Sequence, residues 1–225
     1  MEWFLESAST FAGDIDFVIE LIFWITMFWL VLAEAILIWF VVKFHHTNNP
    51  TAQYITGEKK EEMKFIHWPH NLVLVCDIII IIFAIKTWYG VKQVLPPADN
   101  TIHIIGNQWA WTFVHSGPDG QLGTADDVET TDEMHVTVDT TYHFKLTSPD
   151  VMHSFSVPVF RLKQDIVPGR EITGWFNATK TGEWDLQCAE MCGIGHGIMA
   201  ARIFVETKED HAIWLSRQAG KMAQN

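Results

Sequence analysis

Two long apolar runs dominate the first ninety residues. The first, residues 17–42, contains only two charged side chains, Glu20 and Glu34. A helix of that length exceeds the hydrocarbon core of a bilayer, which is roughly 30 Å thick. The second run, residues 72–85, has a single charge and is followed by a lysine and two aromatic residues, which suit a membrane interface. The pattern predicts two membrane-spanning helices, at about 17–42 and 71–90.

After residue 90 the apolar runs become short, and several alternate with polar residues at a period of two. Turn residues separate them, a pattern that favours an all-β sandwich or barrel. The predicted strands are residues 101–106, 108–114, 135–139, 142–147, 153–159, 171–178, 182–188 and 199–206. Residues 208–223 are expected to form a short helix. We therefore divide the chain into a membrane anchor, residues 1–90, and a β-domain, residues 91–225.

Charge sets the orientation of this anchor. Four lysines lie between the two apolar runs, whereas residues 1–16 contain no lysine or arginine. The positive-inside rule then places the connection in the cytoplasm and both termini outside. The chain is 48% hydrophobic with a formal net charge of −12 and a mean hydropathy of +0.10. The apolar runs explain how so charged a chain can be so hydrophobic.

The β-domain is itself acidic, with seventeen Asp or Glu against ten Lys or Arg. This balance favours a basic protein partner and argues against nucleic acid. Residues 117–133 form an acidic, turn-rich segment that we expect to be a solvated hairpin loop, and the sequence leaves calcium binding there open. The charges expected to attract a basic partner are Asp119, Asp126, Asp127, Glu129, Asp132, Glu133 and Asp150.

The stretch CAEMCGIGHGIM, residues 188–199, carries the candidate chemistry. Outside the membrane, two cysteines four residues apart most simply form a disulfide. A nearby histidine and methionine favour another interpretation, because thiolate, thioether and imidazole together select copper, and zinc sites rarely use methionine. Two thiolates on one loop can bridge two copper ions, each of which needs an imidazole. His196 supplies one, and the candidates for the other are His103, His115, His135, His143, His153 and His211.

The loop pattern CxExCxxxHxxM, with a histidine 35 residues upstream, resembles the binuclear copper A site of subunit II of the haem-copper cytochrome c oxidases. The resemblance extends over nearly the whole chain and includes the segments GNQWAW, VMHSFSVP and RLKQDIVPGR. It implies a two-helix transmembrane hairpin followed by an all-β cupredoxin-like Greek-key domain. It also implies the copper ligands: the imidazoles of His153 and His196, the bridging thiolates of Cys188 and Cys192, Met199 and the main-chain carbonyl of Glu190.

Other residue roles follow from the same resemblance. The Glu190 side chain would bind a magnesium ion at the boundary with subunit I, with Asp165 nearby. Trp109 would receive the electron from cytochrome c, whereas Trp111 is expected in the core. Because these two tryptophans fall two positions apart in a predicted strand, their side chains should point to the same face. Glu62 would lie at the mouth of the proton channel called the K pathway.

The resemblance predicts subunit II of a proton-pumping terminal oxidase in the inner membrane of a bacterium. This subunit would accept electrons from cytochrome c and pass them to the haem of subunit I, where oxygen is reduced to water. Two alternatives stay open. One is the copper A subunit of a nitric oxide reductase, and the other is a membrane-anchored copper-delivery protein. A quinol-oxidising relative is disfavoured, since such proteins lack the copper ligands that this chain retains.

Overall fold

The computed structural model describes residues 6–51 and 54–222 and divides the chain into two compact units. Of the described residues, one unit comprises 16–90, and the other comprises 91–222 together with the N-terminal residues 6–15. Residues 1–5, 52–53 and 223–225, which belong to the predicted anchor and β-domain, lie outside the described residues. The N-terminal segment therefore groups with the β-domain and not with the helices that follow it.

Two helices, α1 (Ala12–Lys43) and α2 (Lys60–Trp88), form the apolar unit, which contains all of α2 and the part of α1 from Asp16 onward. Both are long and apolar enough to cross a membrane. Phe17 and Phe83 bring the two helices into edge-to-face ring contact, with centroids 5.1 Å apart. Each helix is longer than its apolar run, because polar turns extend it. In α2 the first turn contains two acidic residues, Glu61 and Glu62, which favour a helix N-terminus.

The β-unit is a sandwich of two five-stranded sheets, with strand orders β3-β2-β1-β5-β8 and β4-β10-β9-β6-β7. The strands are β1 (Asn100–Asn107), β2 (Ala110–His115), β3 (Val128–Thr131), β4 (Glu133–Thr137), β5 (Thr141–Thr147), β6 (His153–Val157), β7 (Leu162–Ile166), β8 (Ile172–Asn177), β9 (Gly182–Cys188) and β10 (Ala200–Glu206). A helix, α3 (Lys208–Met222), follows the last strand. The sequence predicts α3 and eight of these strands, but it does not predict β3 or β7.

Alternation along the strands forms the core between the sheets. Trp111 and Phe113 of β2 and Phe144 of β5 are fully buried, whereas the residues between them are partly exposed. Phe155 of the second sheet packs against both strands, with its ring centroid 6.0 Å from that of Trp111 and 5.8 Å from that of Phe144. These aromatic side chains supply much of the apolar area that stabilises the sandwich.

Residues 6–11, which we call the N-terminal strap, are bound to the edge of the sandwich. The Ala8 amide donates to the Val159 carbonyl at 2.9 Å, and the Ala8 carbonyl accepts from the Thr179 amide at 3.0 Å. Phe11 is buried with its ring edge against Trp175, at a centroid distance of 5.2 Å. The strap thus joins the start of α1 to the β-unit through main-chain bonds and a buried aromatic side chain.

Helix α3 packs over a cluster of three histidines, which come from β2 (His115), β4 (His135) and α3 itself (His211). His135 is stacked between Phe204 and Trp214, with ring centroids 4.6 and 4.2 Å away. The two oxygens of Glu206 contact the Nδ1 atoms of His135 and His211 at 3.1 and 3.0 Å. The helix is therefore held by aromatic stacking and by one carboxylate shared between two rings.

Candidate metal centre

The strand register brings His153 to Cys188, although they are 35 positions apart. His153 opens β6 and Cys188 closes β9, and these strands are antiparallel with Phe155 opposite Cys188. The pairing continues one step further, since the Ala189 amide donates to the Ser154 carbonyl at 3.0 Å. The two ends of adjacent strands thus point to the same end of the sandwich.

The loop between β9 and β10 supplies the remaining donors, and we call residues 188–199 the metal loop. Its base is closed by a hydrogen bond of 3.0 Å from the Cys188 amide to the Met199 carbonyl. A short 3-10 turn, His196–Ile198, folds its second half back toward the cysteines. Cys188, Cys192 and Met199 are buried, and His196 is half-buried.

Six donor atoms converge at this place. The two cysteine Sγ atoms are 3.8 Å apart. Cys188 Sγ is 3.9 Å from His153 Nδ1 and 3.2 Å from the Glu190 carbonyl oxygen. Cys192 Sγ is 3.6 Å from His196 Nδ1 and 3.7 Å from Met199 Sδ. All six residues predicted as metal ligands are therefore brought together, each with a donor atom within 4 Å of a cysteine sulfur.

This donor set fits copper. Both cysteines are free, and their 3.8 Å separation is far beyond a disulfide bond. It is shorter than twice a metal–thiolate bond of about 2.3 Å, so a single ion can contact both sulfur atoms. Soft sulfur donors with imidazoles select copper. Burial, together with the neighbouring Cys188, raises the pKa of the Cys192 thiol to about 11, so metal binding there must displace a proton.

Of the other candidate histidines, none faces the cysteines. His115 and His135 lie beneath α3, and His211 is part of that helix, stacked on Trp214. His103 Nε2 is bonded to Thr147 Oγ1 at 2.8 Å, and His143 Nε2 to the Pro96 carbonyl at 2.8 Å. Among the described residues, the group with metal-ligand spacing is His153, Cys188 and Cys192.

Asp150 orients His153 and was not predicted to do so. Its Oδ1 atom accepts a hydrogen bond of 2.9 Å from His153 Nε2, which leaves Nδ1 to face the sulfur. Partial desolvation raises the pKa of Asp150, but hydrogen bonds from His153, Gln108 and Val151 outweigh it and lower the pKa to about 2. The sequence places this carboxylate among the charges expected to attract a basic partner, whereas in the structure it is hydrogen-bonded beside the metal donors. The Asp-x-x-His spacing is the sequence signal that could have identified it.

Trp109 lies in the two-residue turn between β1 and β2, and not in a strand. Asn107 pairs with Ala110, so the hairpin is tight and Gln108 and Trp109 project from its end. Trp109 is 37% exposed and Trp111 is fully buried. The prediction that both point to the same face is therefore wrong, because the strand begins one residue after Trp109.

The β1–β2 turn contacts the metal loop directly. Trp109 Nε1 and Gln108 Nε2 both donate to the Cys192 carbonyl, at 3.2 and 2.8 Å. The indole ring lies so close to the loop that a Cβ atom at Gly195 would overlap it. Beside this contact, the metal loop exposes apolar side chains, with Met191 73%, Ile194 96% and Ile198 82% exposed.

Two further predicted residues, Asp165 and Glu62, lie outside the metal loop. Asp165 is in β7 and forms an ion pair of 2.9 Å with Lys163. The hydrogen bond to Asp165, followed by the charges of Asp165 and Glu190, raises the pKa of Lys163. Glu62 is in the first turn of α2, in the other unit, where its carboxylate accepts a hydrogen bond of 3.0 Å from the Gly57 amide.

A β-sandwich with a buried centre of sulfur and imidazole donors at one end, preceded by two apolar helices, defines a membrane-anchored, cupredoxin-like protein. Residues 100–207 match the family model described as cytochrome c oxidase subunit II, periplasmic domain. The chain belongs to the cytochrome c oxidase subunit II family. The family and the fold class are thus confirmed.

Individual relatives agree with this membership. The chain is 32% identical to the alternative cytochrome c oxidase subunit 2 of Bradyrhizobium diazoefficiens, over 96% of this chain and 84% of that protein. It is 29% identical to cytochrome c oxidase subunit 2 of Cereibacter sphaeroides, over 96% of this chain and 80% of that protein. The crystal structure of the periplasmic domain of subunit II of cytochrome oxidase from Bradyrhizobium japonicum superposes with a TM-score of 0.51 at 32% identity. That match covers 57% of this chain and 99% of the other.

Proposed function

We propose that this subunit II accepts electrons one at a time from cytochrome c and delivers them to the haem of subunit I, where oxygen is reduced to water and protons are pumped. The observation that carries the proposal is the pair of free cysteine sulfurs 3.8 Å apart. Two imidazoles, a thioether and a carbonyl oxygen surround that pair.

A binuclear copper A centre is the group we assign to this donor set. His153 and His196 would be its terminal ligands, Cys188 and Cys192 would bridge the two ions, and Met199 and the Glu190 carbonyl would be weak ligands. When bound, such a pair supplies a one-electron carrier whose charge change is spread over two ions. The donors lie at the ends of paired strands and in a loop closed at its base, so little movement needs to accompany that change.

The surrounding residues support the same role. Asp150 fixes the tautomer and ring orientation of His153, as carboxylates do for metal-binding histidines. Trp109 is partly exposed and its indole N–H is bonded to the Cys192 carbonyl. This contact links the protein surface to a ligand residue through one hydrogen bond, which makes Trp109 a suitable point for electron uptake.

Cytochrome c would dock on the face formed by Trp109 and the exposed apolar side chains of the metal loop. Apolar contact with a polar rim is typical of protein interfaces. The acidic balance of the β-domain would steer a basic cytochrome toward it.

At the boundary with subunit I, the Glu190 side chain would bind magnesium near Lys163 and Asp165. We retain Glu62 as the proposed mouth of the proton channel.

We place the β-domain and both termini on the periplasmic side of a bacterial inner membrane. The N-terminal strap supports this topology, because Glu6 pairs with Lys180 at 2.9 Å and the strap must share a side with the domain that it binds. Two spans between the strap and residue 91 meet this requirement. The lysine-rich connection between the helices would then face the cytoplasm.

The test is to purify the full chain within its oxidase, count copper per chain and record the EPR spectrum. We expect two copper ions in this subunit and hyperfine structure spread equally over two nuclei. Reduced cytochrome c should support oxygen consumption, and nitric oxide should be a poor substrate. One copper per chain, a Cys188–Cys192 disulfide in the working complex, or ready loss of copper to an acceptor protein would contradict the proposal.

A further inference from the structure

The six metal donors come from two separate parts of the chain. His153 follows the 148–152 loop at the start of β6, and the other five belong to the metal loop. The base of the metal loop is held by strand pairing, but its middle projects beyond the sheet. There it is folded by its own bonds, from the His196 amide to the Gly193 carbonyl and from the Ile198 amide to the Gly195 carbonyl. The positions of Cys192 and His196 relative to His153 therefore depend on contacts made outside the sheet.

Gln108 contacts both of these parts. Its main-chain amide donates to Asp150 Oδ2 at 2.7 Å, and the other oxygen of that carboxylate accepts from His153 Nε2. Its side-chain Nε2 donates to the Cys192 carbonyl at 2.8 Å. One turn residue thus reaches the partner of one imidazole ligand and the main chain of one cysteine ligand.

The metal loop leaves room for this contact. Gly193 has a φ of +120°, and a Cβ atom there would lie 3.0 Å from Gln108 Nε2. A side chain at residue 193 would strain the backbone and crowd the amide. The β1–β2 turn that carries Gln108 is also short, because only two residues separate the paired positions Asn107 and Ala110. The starting point of the Gln108 side chain is therefore fixed by the strands.

We propose that the β1–β2 turn is a clamp that sets the spacing of the metal donors, and that Gln108 is the positioning residue of this clamp. The inference rests on the proposed function, since it concerns the same centre. Gln108 touches neither ligand atom; it acts through Asp150 on His153 and through the carbonyl on Cys192. Loss of its side-chain bond should let the metal loop move, loosen metal binding and make the centre heterogeneous.

Two substitutions separate the hydrogen bond from the bulk of the side chain. Gln108→Met keeps a similar length but removes the donor, whereas Gln108→Lys keeps an N–H donor of similar reach. Both leave the main-chain bond to Asp150 in place. Gln121→Met is the matched control, because Gln121 is an exposed glutamine in the acidic loop.

The measurements use the full chain in its oxidase complex: the rate of copper loss to a chelator, the EPR hyperfine pattern and the reduction potential. We expect Gln108→Met to lose copper about tenfold faster, within the range found when partners of metal ligands are removed. Its hyperfine pattern should broaden and its potential should shift. Gln108→Lys should restore the wild-type rate of copper loss, and Gln121→Met should equal the wild type in every readout. If Gln108→Met yields no folded chain, Gln108→Glu, which has the original size but no donor, takes its place with the same expectation.

The outcomes separate this proposal from the function itself. A wild-type chain that holds no copper pair overturns both. A copper pair in the wild type, with the same chelator rate, spectrum and potential in Gln108→Met, overturns the clamp alone. Copper loss from Gln108→Lys as fast as from Gln108→Met would also overturn it, because the donated hydrogen bond would then have no effect.

Discussion

At the scale of single residues, His153 depends on Asp150 for its orientation. The ring is fully buried and its Nε2 atom is satisfied by the carboxylate, which also accepts hydrogen bonds from Val151 N at 2.6 Å and Ser148 Oγ at 3.0 Å. The carboxylate is thus fixed on several sides and in turn fixes the imidazole. A neutral acceptor would hold the ring more weakly, because hydrogen bonds to a charged group are roughly twice as strong.

We therefore expect Asp150→Asn to weaken copper binding by about 10-fold to 100-fold. The amide can offer its nitrogen in place of the oxygen, and His153 then loses the bond that selects its tautomer. Competition with a copper chelator measures the affinity. Asp139→Asn, in the exposed turn between β4 and β5, is the matched control and should bind copper as the wild type does. Equal affinity of the two variants would show that Asp150 does not orient the ligand.

Trp109 can be tested through the glycine on which it rests. A Cβ atom at Gly195 would overlap the indole ring, whereas one at Gly197 meets nothing within 4 Å. Gly195→Ala should displace the ring and break its bond to Cys192, slowing reduction by cytochrome c by on the order of 10-fold to 100-fold. Stopped-flow reduction of variants with full copper content measures this rate. Gly197→Ala should behave as the wild type, and equal rates in both alanine variants would contradict the role of Trp109.

At the scale of elements, the N-terminal strap is part of the β-unit although 75 residues of the other unit follow it. Besides its main-chain bonds, Ser9 Oγ donates to the Phe160 carbonyl at 2.9 Å. Ala8 and Phe11 are buried in the same core cluster as the strands. The strap therefore contributes apolar burial and hydrogen bonds that the strands alone would lack.

Phe11→Ala should destabilise the β-unit by about 3 kcal/mol, because it leaves a cavity beside Trp175. Chemical denaturation of the detergent-solubilised chain, followed by near-ultraviolet circular dichroism, measures the change. Thr10→Ala alters an exposed side chain of the same strap and keeps its main-chain bond to Asn177. It should change the free energy of unfolding only slightly. A loss for Phe11→Ala no larger than that of the control would mean that the strap does not stabilise the domain.

The elements that the sequence predicted are those with strong local patterns. β1 and β9 alternate between buried and more exposed residues, and α3 follows a capping residue, Thr207, and has acidic residues in its first turn. β7 was missed because its charged residues pair at a sheet edge, and β3 because four residues in an acidic segment carry little pattern. The ligand set came from one local motif and a family resemblance. Asp150 and Gln108 were not assigned to the centre because their contacts depend on tertiary register.

At the scale of the whole folded molecule, buried histidines make stability depend on pH. His115 lies beneath α3, where Nε2 is bonded to Thr130 Oγ1 at 3.2 Å and the ring contacts Trp214. Burial, followed by the charges of the nearby His135 and His211, lowers its pKa to about 3, although hydrogen bonds to the main chain of Glu133 and His135 oppose the shift. Burial also lowers the pKa of His211. Both side chains are therefore neutral in the folded chain at neutral pH.

The sign of the effect follows from linkage. Unfolded His115 titrates near 6.5 and the folded residue near 3, so the unfolded chain binds more protons as the pH falls below 6.5. The contribution of neutral, buried His115 to the free energy of unfolding is complete above pH 6.5. It declines as the pH falls toward 3, by about 2 kcal/mol between pH 7 and pH 5. His115→Phe keeps a flat ring but has no group that titrates. Its free energy of unfolding should therefore decrease between pH 7 and pH 5 by about 2 kcal/mol less than that of the wild type. Denaturation curves at both pH values measure the difference. His46→Phe, in the exposed connection after α1, should retain the wild-type dependence, and an unchanged dependence in His115→Phe would mean that this histidine is not the titrating group.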